Sequence, residues 1–245
     1  SLYCGNGHQS IMDKVHPDRL VFNYTKTMMA AFAFKKELPS DILLIGEGGG
    51  SLPKTIQKHF PDIKLDIVEI DPEVDKVAQK YFLFKPSKNT KVFTIDGRMF
   101  VKKSAKKYDI VMLDAFRGGY IPYHLLTKEF FTEVREILKP GGFVISNTFN
   151  SSKIRDMETN TYFSVFKNIY ELIATGSGNR ILFADNNKPL AKNVLIRRAK
   201  ELDQKYQFKG ISLENIINNQ YKLLPYENSD DILTDDHSPA ELLAD

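Results

Sequence analysis

Four acidic side chains and one run of glycines in this 245-residue chain have types and spacing that can do chemistry together. Gly46–Glu47–Gly48–Gly49–Gly50 follows a continuous apolar run, Ile42–Leu43–Leu44–Ile45. Glu69 and Asp71 close a second such segment that begins at Leu65, Asp96–Gly97 closes a third that begins at Val92, and Asp114 closes a fourth that begins at Tyr108. Glycines let backbone come close to a ligand, and the helix after such a turn offers free N–H groups. Glu69 lies about 20 residues past the first glycine, the spacing at which a strand-end carboxylate accepts hydrogen bonds from both ribose hydroxyls. Asp96 adds a second acceptor suited to an adenine amino group.

The kind of nucleotide is narrowed by what surrounds these groups. A dinucleotide fingerprint needs G-x-G-x-x-G, and the sixth position is Ser51. There is no G-x-x-x-x-G-K-[ST] run, and no basic residue stands in the glycine turn to meet phosphates. Two carboxylates for one nucleoside point to an adenosine without phosphate, and S-adenosylmethionine and its relatives fit that description. The plainer alternatives are a tight turn with no ligand and a solvated strand end.

The elements that must position these groups follow from apolar periodicity. Short apolar runs alternate with helical stretches at 52–60, 72–81 and 127–138, which predicts a parallel sheet with right-handed crossovers. In such a sheet ligands lie beyond the carboxyl ends of the strands, where all of these residues fall. Lys139–Pro140–Gly141–Gly142 predicts a break before a fifth strand at 143–148. Beyond it, the pattern predicts helices over 157–172, 189–206 and 212–220, a late strand over 180–184, and an acidic tail from Asp230 ending in a weak helix. Ahead of the sheet, residues 2–12 read as a β-hairpin turning at Asn6–Gly7. A helix is expected over 17–36, with Leu20, Tyr24, Met28 and Ala31 on one face. The chain thus divides into an N-terminal hairpin and helix, 1–40, and a nucleoside-binding α/β domain, 41–245.

Composition excludes other classes. Hydrophobic residues make up 42% and charged residues 27%, so the chain is neither disordered nor fibrous. A net charge of +3 does not predict a nucleic-acid partner. The single cysteine, Cys4, allows no intrachain disulfide and no cysteine-rich zinc site, reads as a small apolar side chain, and suggests a reducing, cytoplasmic compartment. No membrane span or signal peptide is expected, and Ser1–Leu2–Tyr3 begins abruptly in a strand-like segment.

Leu44 to Leu52, Val68–Glu69–Ile70–Asp71–Pro72, Asp96–Gly97–Arg98 and Tyr108 to Asp114 together resemble the spermidine synthase family. The stretches Asp114–Ala115–Phe116 and Ile121 to Phe131 are similar to its spermidine synthase-like branch, and Gln9–Ser10 and Phe22–Asn23–Tyr24 resemble its N-terminal segment. The resemblance implies a Rossmann-like, doubly wound α/β fold of the class I S-adenosylmethionine-dependent methyltransferase type behind a short N-terminal β-hairpin. It implies that Glu69 holds the ribose, that Asp96 and Gly97 recognise adenine, and that Gly46, Gly48 and Gly50 line the sulfonium side. Gln9 and Tyr24 would border the channel, and Asp114 would sit at the reaction centre. The implied reaction is aminopropyl transfer from decarboxylated S-adenosylmethionine to an amine, releasing methylthioadenosine, in a homodimer.

Two departures from the family pattern bear on that reaction. The family carries an Asp in the glycine turn for the amine of the aminopropyl donor, where this chain has Gly49. It carries a second Asp after the fourth strand as the base, where this chain has Arg117, which cannot accept a proton. Asp114 is then the candidate base by default. Methyl transfer from ordinary S-adenosylmethionine is the second reading, and a catalytically silent nucleoside-binding homologue the third. His124 near the cleft mouth could orient a substrate, act as a base, cap a helix or simply pack. Tyr120 and Tyr123 could line the channel or pack. Asp235–Asp236–His237 reads as a solvated tail, with no metal expected; Lys102, Lys103, Lys106 and Lys107 read as a solvated face, and Phe130–Phe131 as core.

Overall fold

The computed structural model describes residues 2–4, 7–116, 120–226 and 229–236, with backbone alone for the strand residues before Ser10. In chain order the elements are β1 (Leu2–Cys4), β2 (Gly7–Ser10), α1 (Asn23–Met28), α2 (Ala31–Phe34), β3 (Asp41–Ile45), α3 (Ser51–His59), β4 (Lys64–Glu69), α4 (Pro72–Tyr81), β5 (Thr90–Thr94), α5 (Gly97–Lys103) and β6 (Tyr108–Leu113). A short 3₁₀ turn (Tyr123–Leu125) precedes α6 (Lys128–Glu136), β7 (Leu138–Phe149), α7 (Arg155–Phe163), β8 (Asn168–Ile173), β9 (Asn179–Asp185), α8 (Lys192–Tyr206), α9 (Leu213–Gln220) and β10 (Tyr221–Leu223).

Among the described residues the main sheet has eight strands in the order β10-β8-β9-β7-β6-β3-β4-β5. Strands β7, β6, β3, β4 and β5 run parallel, and β9, β8 and β10 add an antiparallel edge. The strand order reverses between β3 and β6, so a crevice opens there beyond the strand ends. This is the expected doubly wound α/β fold. Successive β3 residues serve opposite faces: Ile42 and Leu44 join the apolar cluster under α1–α3, α8 and α9, while Leu43 and Ile45 join the one under α5–α7.

The hairpin forms, with Cys4 opposite Gly7. Its turn residues Gly5 and Asn6, the Cys4 and Gln9 side chains, Arg117 and the expected tail helix past Asp236 all lie outside the described residues. The helix expected over 17–36 is instead two short helices. Met29 and Ala30 N–H groups bond three residues back, to Lys26 and Thr27, and Thr27 bonds its own hydroxyl to the Asn23 carbonyl, which tightens and splits the coil. The helix expected over 157–172 ends at Phe163, and 168–173 is the buried strand β8. Phe163, Phe166, Ile169 and Ile173 repeat at helical spacing, but Glu171 is claimed by Arg155 at 2.8 Å and packing between β9 and β10 decides the matter. Strand β7 begins at Leu138, five residues before the expected Phe143, and carries the Pro-Gly-Gly turn within it.

Below the antiparallel edge, the fully buried Arg180 bonds Glu158 at 2.7 Å, lies 3.6 Å from Glu171, and donates Nε to Thr148 Oγ1. Its charge is therefore paired, as a buried guanidinium must be. That lock fixes the start of β9 against the end of β7, where Asn179 and Asn147 emerge.

Candidate active site

One large cleft, of about 1040 Å³, lies along the carboxyl ends of β3–β7 and is walled by the hairpin end, α1 and the segment 120–125. Its floor is the glycine turn. Gly46 adopts φ +96°, and a Cβ there would stand 2.3 Å from the Asp114 carbonyl oxygen, so no other residue fits this close crossing of two strand ends. Gly49 donates its N–H to Ser10 Oγ at 2.7 Å, which seats the hairpin on the turn. A Cβ on Gly49 would meet Phe82 Cδ1 at 2.7 Å and Ser10 Cβ at 2.8 Å. The carboxylate missing from the sequence here therefore also has no room.

The strand-end carboxylates divide their work. Glu69 is buried and accepts from two backbone donors, Glu47 N–H and Asp71 N–H, each at 3.1 Å. Those bonds fix the carboxylate in the cleft lining and leave further lone pairs free to accept. Asp71 caps α4 by accepting from Glu73 N–H at 2.9 Å. Asp96 caps α5 through Oδ1 and Met99 N–H at 2.9 Å, while its Oδ2 meets His124 Nε2 at 2.8 Å. Burial works to raise the Asp96 pKa, but the Met99 N–H and His124 outweigh it and hold the carboxyl below its ordinary range. Ile70, 65% exposed, joins Gly97, Pro122 and Leu125 around this end of the cleft and offers an apolar surface for a flat ring.

The sequence presents Glu47 only as part of the glycine turn. It lines the cleft at 6% exposure, and neither carboxyl oxygen has a hydrogen-bond partner. Burial, then the nearby charges of Asp75 and Glu69, push its pKa up to about 8.

Across the turn, Asp114 stands at the end of β6. Its Oδ1 accepts from Asn147 Nδ2 at 2.8 Å and its Oδ2 from Tyr24 OH at 3.4 Å. Asn147 in turn accepts from Asn179 Nδ2 at 2.9 Å, which fixes the amide orientation. Burial pushes the Asp114 pKa up to about 7, against the opposing hydrogen bonds of Asn147 and Tyr24. The Tyr24 hydroxyl is held well above its usual pKa by burial and then by Asp114, so it remains a donor. A carboxyl poised near neutrality inside a cleft has the properties of a general base.

The structure thus brings Gly46, Gly48, Glu69, Asp96, Gly97, Asp114, Tyr24, Tyr120 and His124 to one cleft. Gly50 lies one step below, as the N-cap of α3 at φ +65°. Ser10 takes the hairpin's place in the lining. His124 does not face Asp114; its ring is committed to Asp96, and its carbonyl accepts from Arg98 at 3.4 Å. Arg98 binds both Glu133 and Asp235, so Asp235, although exposed as expected of the tail, is also ion-paired. Lys106 likewise pairs with Asp66 at 2.8 Å. Tyr123 donates to the Thr234 carbonyl at 2.7 Å, and Phe130 and Phe131 are core. Sequence reasoning missed Asn147 and Asn179; the strand-end rule that found Asp114, applied to the fifth strand, would have found Asn147.

Residues 21–194 match the spermine/spermidine synthase domain. A polyamine aminopropyltransferase from Vibrio vulnificus is 39% identical over 229 residues, covering 92% of this chain and 76% of that protein. Human methyltransferase-like protein 13, solved with S-adenosylhomocysteine, superposes with TM-score 0.71 at 28% identity over 76% of this chain and 93% of that one. Spermidine synthase from Thermotoga maritima shares the fold, with TM-score 0.65 at 19% identity over 83% of this chain and 72% of that one. A glycine turn crossed by the Asp114 strand end, an acidic residue at each neighbouring strand end and this degree of likeness agree: the chain belongs to the spermine/spermidine synthase family, whose named relatives are transferases.

Proposed function

We propose that the chain transfers an aminopropyl group from decarboxylated S-adenosylmethionine, a substrate, to an amine, releasing methylthioadenosine. The observation that carries this reading is Asp114, a half-buried carboxyl in the cleft with a pKa raised to about 7, across the glycine turn from the carboxylates of Glu69 and Asp96. Ionised Asp114 accepts a proton from the acceptor ammonium, and Tyr24 and Asn147 hold the carboxylate while it does so. The freed nitrogen bonds to the propyl carbon beside the sulfonium, the carbon–sulfur bond breaks, and its electron pair stays on sulfur. Glu69 takes the ribose hydroxyls, Asp96 the adenine amino group, and Ile70 one ring face. Aligning the two reactants supplies much of the rate in such a displacement. Family likeness and the single cysteine support a cytoplasmic homodimer acting on a small amine, with no nucleic acid or membrane partner.

Methyl transfer is the second reading, favoured by one observation. Phe82 and Ser10 close off Gly49, leaving no carboxylate there for the ammonium of the decarboxylated donor. The likeness to human methyltransferase-like protein 13 supports it. Titration calorimetry with the two forms of the donor separates the readings. Tighter binding of the decarboxylated form supports aminopropyl transfer, and tighter binding of S-adenosylmethionine itself contradicts it.

A further inference from the structure

The cleft changes character on the far side of Asp114. Phe22, Tyr24, Phe116 and Phe149 line it there, with Phe116 and Phe149 in an edge contact at 5.2 Å and Phe22 stacked on Tyr24 at 5.6 Å. The polar groups among them, Asn147 and Asn179, are uncharged. Strand order places every other cleft carboxylate on the opposite side: Glu47, Glu69, Asp71 and Asp96 follow β3, β4 and β5, whereas this chamber lies by β6, β7 and β9. Asp114 is the sole carboxylate of the chamber among the described residues.

We propose that this chamber takes a primary monoamine with an apolar body, an alkylamine or arylalkylamine, in preference to a diamine or polyamine. The inference rests on the aminopropyl-transfer reading and narrows its acceptor. A diamine enters with two positive charges, and Asp114 can neutralise only one. The second would stand beside half-buried aromatic rings with no described carboxylate to meet it, and the attraction of a cation for a ring face is smaller than the penalty for taking an unpaired charge out of water. An apolar body gains from the same rings by leaving water. The step balances without further reagents. The monoammonium gives its proton to Asp114, its nitrogen bonds to the propyl carbon, the carbon–sulfur bond breaks toward sulfur, and neutral methylthioadenosine departs.

The test is a panel of acceptors with decarboxylated S-adenosylmethionine, reading methylthioadenosine by chromatography. n-Butylamine and 2-phenylethylamine should show kcat/KM at least tenfold above 1,4-diaminobutane. Phe149→Glu, which places a carboxylate in the chamber, should shift that ratio at least tenfold toward the diamine. A wild-type preference for 1,4-diaminobutane overturns the inference and leaves aminopropyl transfer standing. Release from no amine at all overturns the transfer reading, and the inference with it.

Discussion

Asn147 Nδ2 donates to Asp114 Oδ1 at 2.8 Å, across the ends of two neighbouring parallel strands. The bond matters because the Asn147 amide is itself fixed by Asn179 from β9. Asp114 is thus presented to the cleft in a single orientation, with the Tyr24 hydroxyl on its second oxygen. The antiparallel edge of the sheet, held by the Arg180 ion pairs, therefore reaches Asp114 through two amides.

Asp114→Asn keeps the shape of this group and removes its basicity. Turnover should fall by about 10²–10⁴-fold, the usual contribution of a positioned base. Methylthioadenosine affinity, measured by calorimetry, should change little, because the proposed grip on the nucleoside is at Glu69 and Asp96. Equal loss of both would assign Asp114 to binding.

Turnover should depend on the ionisation of Asp114. With its pKa pushed up to about 7, the carboxyl is mostly protonated below that pH and mostly a base above it. Rate should accordingly rise as pH passes through 7. Asn147→Leu removes a hydrogen bond that favours the ionised form, so its profile should move to higher pH. A profile unmoved by that substitution would break the link between the two residues.

Stability should respond to pH through the carboxyls of Glu47 and Asp114. Glu47 rises from its ordinary 4.5 to about 8 in the folded chain, and Asp114 from 3.8 to about 7. Between those limits the folded state binds more protons than the unfolded one, so stability falls as pH rises from about 5 to 8. Glu47→Gln should flatten that slope and raise the urea midpoint at pH 8. A slope unchanged in the variant would show that Glu47 is not protonated in the fold.

Gly49→Asp restores the residue type that the family pattern places in the turn, yet it should not help. Its Cβ would overlap Phe82 and Ser10, and overpacking of this kind costs about 1–3 kcal/mol. Urea denaturation should show that loss, with no gain in affinity for the decarboxylated donor. A stable variant with tighter binding would mean that the hairpin end moves aside.

The β3–β5 half of the cleft was legible in the sequence because each of its parts is local. A strand end, a glycine run and an acidic residue sit within a few positions of one another, and apolar periodicity alone places them on a common rim. Asn147 was within reach of the same strand-end rule, but its bond to Asn179 and the committed ring of His124 were not legible, since they come from register across β7 and β9 and from Asp96 lying 28 positions away. Strand β8 was misread because its aromatic and apolar residues also satisfy a helical repeat, and only sheet pairing excludes the helix. The ion pair of Asp235 was not legible because nothing near it in the chain announces Arg98.

Product analysis after incubation with an equimolar mixture of S-adenosylmethionine, its decarboxylated form and n-butylamine tests the account most directly. Methylthioadenosine and N-(3-aminopropyl)butylamine in equal amounts are the expected products. S-adenosylhomocysteine with a methylated amine in their place would contradict it.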